Sequence, residues 1–230
     1  MRNIVLAGAL GLAALAFGSN ESFAQSGNTP PTGAPQWPAD IDPQSGFRLA
    51  LPRREDLDEA GQRRFDRAAS GQNIAGLQGP TGIMLYSPKT SDDQNAMSRY
   101  LRNEAGLTPR MREIALLITS RSMNNQFEWT AHEPEALKAG VPQVTIDAIK
   151  FHRATAGLDP TDAVIIELGR AVWKDHKVSP ELFARAKTIF GPNKLVDLVL
   201  LMGTHASTAA LLTTFDMQLH KGVTPMLPIP

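Results

Sequence analysis

The sequence predicts an all-α fold, and three observations carry that prediction. First, Thr108-Pro109, Asp159-Pro160 and Ser179-Pro180 each stand directly before an apolar, helix-periodic run. An oxygen-bearing side chain caps the free N–H groups of a first turn, and proline fits the first helical position, where its missing N–H would be unpaired anyway. Second, Gly106, Gly140 and Gly191 close such runs, as glycine does where a helix must end in a left-handed conformation. Third, apolar and polar residues nowhere alternate for more than a few positions, so the period-two signal of strands is missing. Hydrophobic residues make up 42% of the 230 residues, enough for one packed domain.

In chain order, residues 1–24 read as a secretory signal peptide. Met1-Arg2 is a short positive start, Ile4 to Phe17 is uncharged, and Ser22-Phe23-Ala24 offers the small residues of a cleavage site after Ala24. The protein is then expected in the periplasm or outside the cell, with no membrane attachment after cleavage. Residues 25–52 read as a Pro-rich arm or linker, in which Trp37 and Phe47 are candidate anchors onto the domain. Residues 53–222 read as the helical domain, and 223–230 as a tail.

Within the domain, Arg54 to Ala69 predicts a polar helix with Leu57, Ala60 and Phe65 as its inward stripe. Gly71 to Pro88 reads as a loop broken at Gly79-Pro80. Asp92 to Ala105 predicts the second helix. The third begins at Thr108-Pro109 and is apolar over most of its circumference through Met111, Ile114, Ala115, Leu117 and Ile118, which makes it central. The fourth runs from about Asn125 to Ala139, and a short one from Pro142 to Phe151. Asp159-Pro160 and Ser179-Pro180 open the next two, the second of which ends at Gly191-Pro192. The last, from about Asn193 to Leu219, is interrupted by Asp197 and His205 and so reads as a buried helix, not a membrane span.

Charge is balanced, 23 Lys and Arg against 23 Asp and Glu, which gives no reason to expect nucleic acid or an anionic membrane as partner. Cysteine is absent. Disulfides, thiolate nucleophiles and Cys metal sites are thereby excluded, and an exported domain without bridges must rely on packing and on association with its own copies.

The chemistry-bearing stretch is Leu107 to Val141. Glu128 and His132, four apart, share one helix face, where a carboxylate favours imidazolium and orients the ring. Glu113, on the preceding helix, would complete a Glu–His–Glu unit suited to proton transfer if the two helices pack side by side. Structural roles stand beside this. Asn125 with Glu128 fits a reciprocal N-cap, His132 a hydrogen-bonded core histidine, and Glu113 a carboxylate favoured in a helix's first turn. A metal is a further alternative: Glu128 and His132 with Glu113 or His205 would suit Zn²⁺ or Fe²⁺, though spacing fixes no third ligand. His152, His176 and His220 read as surface residues.

The stretch resembles the signature of the carboxymuconolactone decarboxylase-like superfamily, which includes the alkylhydroperoxidase D proteins. In those peroxidases a Cys-x-x-Cys-x-x-x-His motif is served by an upstream glutamate. Here Glu113 matches that glutamate and His132 the histidine, while Asn125 and Glu128 occupy the cysteine positions. The run Glu128-Trp129-Thr130-Ala131-His132 is similar to the hallmark of the cysteine-free branch. Gly79-Pro80, Ser87-Pro88, Leu107 to Arg110 and Leu137 to Gly140 also fall where that branch has similar residues.

The resemblance covers roughly Asp56 to Gly222. It implies an alkylhydroperoxidase D-like helical bundle around a helical hairpin, assembled as a homo-oligomer, a trimer or a hexamer. It implies a lyase that releases CO₂ from a small acidic lactone or oxo acid without cofactor or metal, not a thiol peroxidase. The expected parts are His132 as proton source, Glu128 and Glu113 orienting it, Arg110 or Arg121 anchoring the anionic substrate, and Trp129 walling the pocket with His205 nearby. The export signal sets the chain apart from cytoplasmic catabolic decarboxylases. A helical binding or assembly module that keeps the fold without catalysis is the alternative, and the surroundings of His132 discriminate the two.

Overall fold

The computed structural model describes residues 37–70 and 76–229. The expected signal peptide, the first part of the Pro-rich arm and residues 71–75 lie outside them.

All regular structure among the described residues is helical. A 3₁₀ turn, Arg54–Asp56, leads to α1 (Glu59–Ser70). There follow α2 (Pro80–Met84), α3 (Pro88–Asn103), α4 (Pro109–Ser122), α5 (Gln126–Lys138), α6 (Gln143–Lys150) and α7 (Pro160–Arg170). α7 runs into a π-helical turn, Ala171–Asp175, and α8 (Pro180–Thr214) completes the order.

The caps are those the sequence specifies. Thr108 accepts from the Met111 N–H, Asp159 from Thr161 and Asp162, and Ser179 from Leu182. Each satisfies a donor that the helix itself cannot, worth about 1 kcal/mol apiece.

α4 is the hub, packed against α5, α6, α7 and α8. Ile114 to Ile118 are buried without interruption, because helices surround them on more than one side. Burying each large aliphatic chain contributes about 1.5–3 kcal/mol. The closest approach is at Gly169 of α7, where a Cβ would stand 2.6 Å from Cγ1 of Ile118. Gly169→Ala is therefore expected to destabilise by about 1–3 kcal/mol through overpacking, read as a lower denaturation midpoint.

Three local expectations need correction. Gly79-Pro80 does not merely break the chain: it opens α2, with Pro80 in the first turn. α3 begins at Pro88 behind Ser87, not at Asp92, so a proline first turn was mistaken for loop. On α1 the buried positions are Gly61, Arg64 and Ala68, while Leu57, Ala60 and Phe65 are half-buried. Arg64 is buried on this face and pairs with the exposed Asp92 of α3.

α8 is divided at Gly191, whose φ of 69° and ψ of 168° no helix contains. Glycine adopts this conformation without a Cβ penalty, and Pro192 then restarts the helix at its first turn. By length and composition α8 would cross a membrane. In this fold Leu195, Leu198, Leu201, Met202, His205, Ala209 and Leu212 of α8 are buried, while Val196, Val199 and Leu200 remain exposed.

Both ends of the described chain join the packing. Phe47 is wholly buried in a second cluster with Ile83, Phe127 and Leu212, and the Arg48 N–H donates to the Phe215 carbonyl. Leu227 enters the main core.

Candidate functional site

α4, α5 and α8 bring four ionisable side chains together. Glu113 comes from α4, Glu128 and His132 from α5, and His205 from α8. Nδ1 of His132 lies 2.9 Å from Oε2 of Glu113. Its Nε2 lies 3.6 Å from Oε2 of Glu128, and Nε2 of His205 lies 3.3 Å from the same oxygen. The two imidazoles meet edge to face, centroids 5.1 Å apart. Ser120 of α4 completes the inner end: its hydroxyl donates to the Leu116 carbonyl and sits 2.9 Å from Nε2 of His205.

The local sequence explains the convergence. Asn125 caps α5 with Oδ1, which accepts from the Glu128 N–H at 3.0 Å. The N–H of Asn125 itself donates to the Ser120 carbonyl at 2.9 Å. A reciprocal cap would need Glu128 to accept that N–H. The carboxylate of Glu128 turns to the two imidazoles instead. The structure thus separates the two roles open for Glu128: its backbone serves the cap, its side chain the cluster.

The cluster is graded from solvent inward. Side-chain exposure falls from 15% at His132 and 11% at Glu113 to 7% at Glu128 and 4% at His205. Burial pushes the Glu128 carboxyl above its ordinary range, against the pull of His132 and Arg102. Burial holds the His205 imidazole well below its ordinary range, and the positive charges of His132 and Arg102 push it the same way. His205 is accordingly neutral, and the inner end resists charge. The end nearest solvent is the pair of His132 with Glu113.

The other expected site residues lie elsewhere or play other parts. Arg110 forms a bidentate pair with Asp162, at 3.0 and 2.6 Å, and Asp162 also accepts from Thr145. Arg121 donates to the Lys150 carbonyl and to Asn124. Both guanidinium groups are thus engaged with neighbouring residues of the fold, Arg110 with Asp162 and Arg121 with Lys150 and Asn124. Trp129 is wholly buried, donates to Oε2 of Glu133 at 2.5 Å, and has Lys150 over its ring.

The cation whose charge reaches the cluster is Arg102 of α3. Neither Arg102 nor Ser120 carries a motif, and only the tertiary packing of α3 and α4 reveals them. Of the remaining histidines, His152 and His176 are exposed and adopt positive φ just past α6 and the π turn. His220 is half-buried and hydrogen-bonded to the Gln78 carbonyl.

Residues 88–168 match the model of the Carboxymuconolactone decarboxylase family. Over that segment the chain is similar to the family. The segment runs from the first residue of α3 into α7 and so contains Arg102, Glu113, Ser120, Glu128 and His132, while His205 lies outside it. The chain has no cysteine, and so lacks the thiols that a thiol peroxidase would need. No curated protein and no solved structure matches the chain.

Proposed function

We propose that the protein is a carboxymuconolactone decarboxylase-like lyase that acts on a small acidic lactone or oxo acid by acid/base chemistry. One observation carries this reading: the buried Glu128 carboxyl is aimed at two imidazoles instead of closing its own helix. Burying a carboxyl that only a neutral cap hydrogen bond would satisfy has no structural benefit, whereas a carboxyl of raised pKa beside a partly exposed histidine is a proton-handling unit.

The chemistry divides among few parts. The bond from carbon to the substrate carboxylate breaks, CO₂ leaves, and the electron pair passes into the conjugated carbonyl as a dienolate. His132 returns a proton to carbon. Glu113, bonded to Nδ1, fixes the ring so that Nε2 is the working nitrogen. Arg102 supplies the positive charge that attracts the anionic substrate, in place of Arg110 and Arg121, and it favours the ionised form of Glu128 against burial. A panel of acidic lactones and 2-oxo acids assayed for CO₂ release, wild type beside His132→Ala, tests the reading. Release that both proteins catalyse equally would overturn it.

The same reading includes export through a cleaved signal peptide and assembly into a trimer or hexamer. The exposed apolar positions Val196, Val199 and Leu200 on α8 support the assembly, since an uncovered apolar helix face favours association. Light scattering and intact mass of the exported protein are expected to give a multiple of a chain that begins at Gln25. A monomer at micromolar concentration, or a chain retaining residues 1–24, would refute the corresponding half.

A further inference from the structure

Glu128, His132 and His205 present one carboxylate oxygen and two imidazole nitrogens to a common point. All three ligand atoms lie within 4.8 Å of one another, and the two distances from Glu128 Oε2 are 3.3 and 3.6 Å. A tetrahedral ion with bonds of about 2.0–2.2 Å holds its ligands about 3.3–3.6 Å apart. Two edges of the coordination triangle therefore already have the right length, and the third lies within 4.8 Å.

The surroundings fit a cation as well. Metal-bound histidines usually donate their second ring N–H to a carboxylate, which sets tautomer and orientation. Nδ1 of His132 makes that contact with Glu113 at 2.9 Å, leaving Nε2 to face Glu128. His205 is held near the same oxygen inside the fold, its Nε2 3.3 Å away. Two carboxylates, Glu113 and Glu128, offset the charge of a dication, and the opposing charge nearby is that of Arg102. Of the three ligands, His132 is the one nearest solvent, with 15% of its side chain exposed. Two nitrogens and one oxygen suit Zn²⁺, Co²⁺ or Fe²⁺, not Mg²⁺ or Ca²⁺, which prefer oxygen-only shells.

We infer that Glu128, His132 and His205 form a binding site for a first-row divalent cation. Its ligand set is completed from α8, outside the segment that matches the family. The cation takes Nε2 of His132, the nitrogen that carries the proton in the lyase reading. Metal and proton transfer are therefore alternative states of one site, and loading suppresses turnover. This last clause rests on that reading; the binding itself does not.

Co²⁺ titrated into the full chain tests the site without any substrate. One equivalent is expected to bind and give the intense visible absorption of a four-coordinate ion. His205→Asn and Glu128→Gln should each lose at least a hundredfold in affinity, and Glu113→Gln about 10–100-fold, as an orienting partner does. Circular dichroism checks that each variant folds, and either ligand variant suffices if the other does not. Absence of stoichiometric binding, or binding that survives both ligand substitutions, overturns the inference. Failure here leaves the lyase reading intact, since CO₂ release is assayed separately with chelator present. Conversely, Co²⁺ bound in the expected pattern with no acidic substrate turned over upholds the site and removes the lyase.

Discussion

His132→Ala is expected to lower turnover of an acidic substrate by about 10²–10⁴-fold, the usual cost of a lost general acid. Thermal unfolding should change little, because His132 is the outermost member of the cluster and keeps solvent contact. Glu128→Gln separates the two jobs of that residue. The helix cap uses the Glu128 N–H, which the substitution leaves in place. A purely structural role predicts turnover close to wild type, whereas a proton-transfer role predicts a large loss at nearly constant melting temperature. Glu113→Gln should resemble it. Combining either with His132→Ala should cost little more than His132→Ala alone, since residues that act as a unit are not additive. If turnover is found and both His132→Ala and Glu128→Gln retain it, these residues are structural.

The largest effect on stability is expected at Trp129, three residues before His132. Trp129→Ala should destabilise the fold by about 3–5 kcal/mol, as for other buried large-to-small changes. Beyond the cavity, it removes the N–H partner of Glu133, leaving that buried carboxylate to Lys150 alone at 2.7 Å. Trp129→Phe keeps most of the volume and should recover more than half of the loss. Chemical denaturation measures both. A loss under 1 kcal/mol for Trp129→Ala would show that the indole is not the central packing element its burial implies.

Comparison of particular elements shows what was legible in the sequence. α4, α5 and α7 were, because a capping residue and a proline or glycine bounded each of them. The starts of α2 and α3 were not: Gly79-Pro80 and Ser87-Pro88 signal a loop and a helix opening equally well, and only packing chooses. In the site, Glu113, Glu128 and His132 could be proposed together because a helical hairpin superposes positions on adjacent helices. Arg110, Arg121 and Trp129 were assigned by chemical type. A guanidinium or indole can serve a ligand or a neighbouring helix, and here Asp162, the Lys150 carbonyl and Glu133 were nearer. Arg102 and Ser120 had no signature because their part arises only when α3 and α4 meet the start of α5 and the middle of α8.

Asn125 does more than start a helix. While its oxygen caps α5, its Nδ2 reaches the Ala209 carbonyl at 3.2 Å and Thr213 Oγ1 at 3.4 Å, both on α8. One amide therefore pins the lengthwise position of α8 against α5. A slip of one turn, about 5.4 Å, would unhook the amide and carry His205 beyond reach of Glu128. The spacing of Glu128 and His205 is thus set by a ratchet tooth that is not itself part of the chemistry.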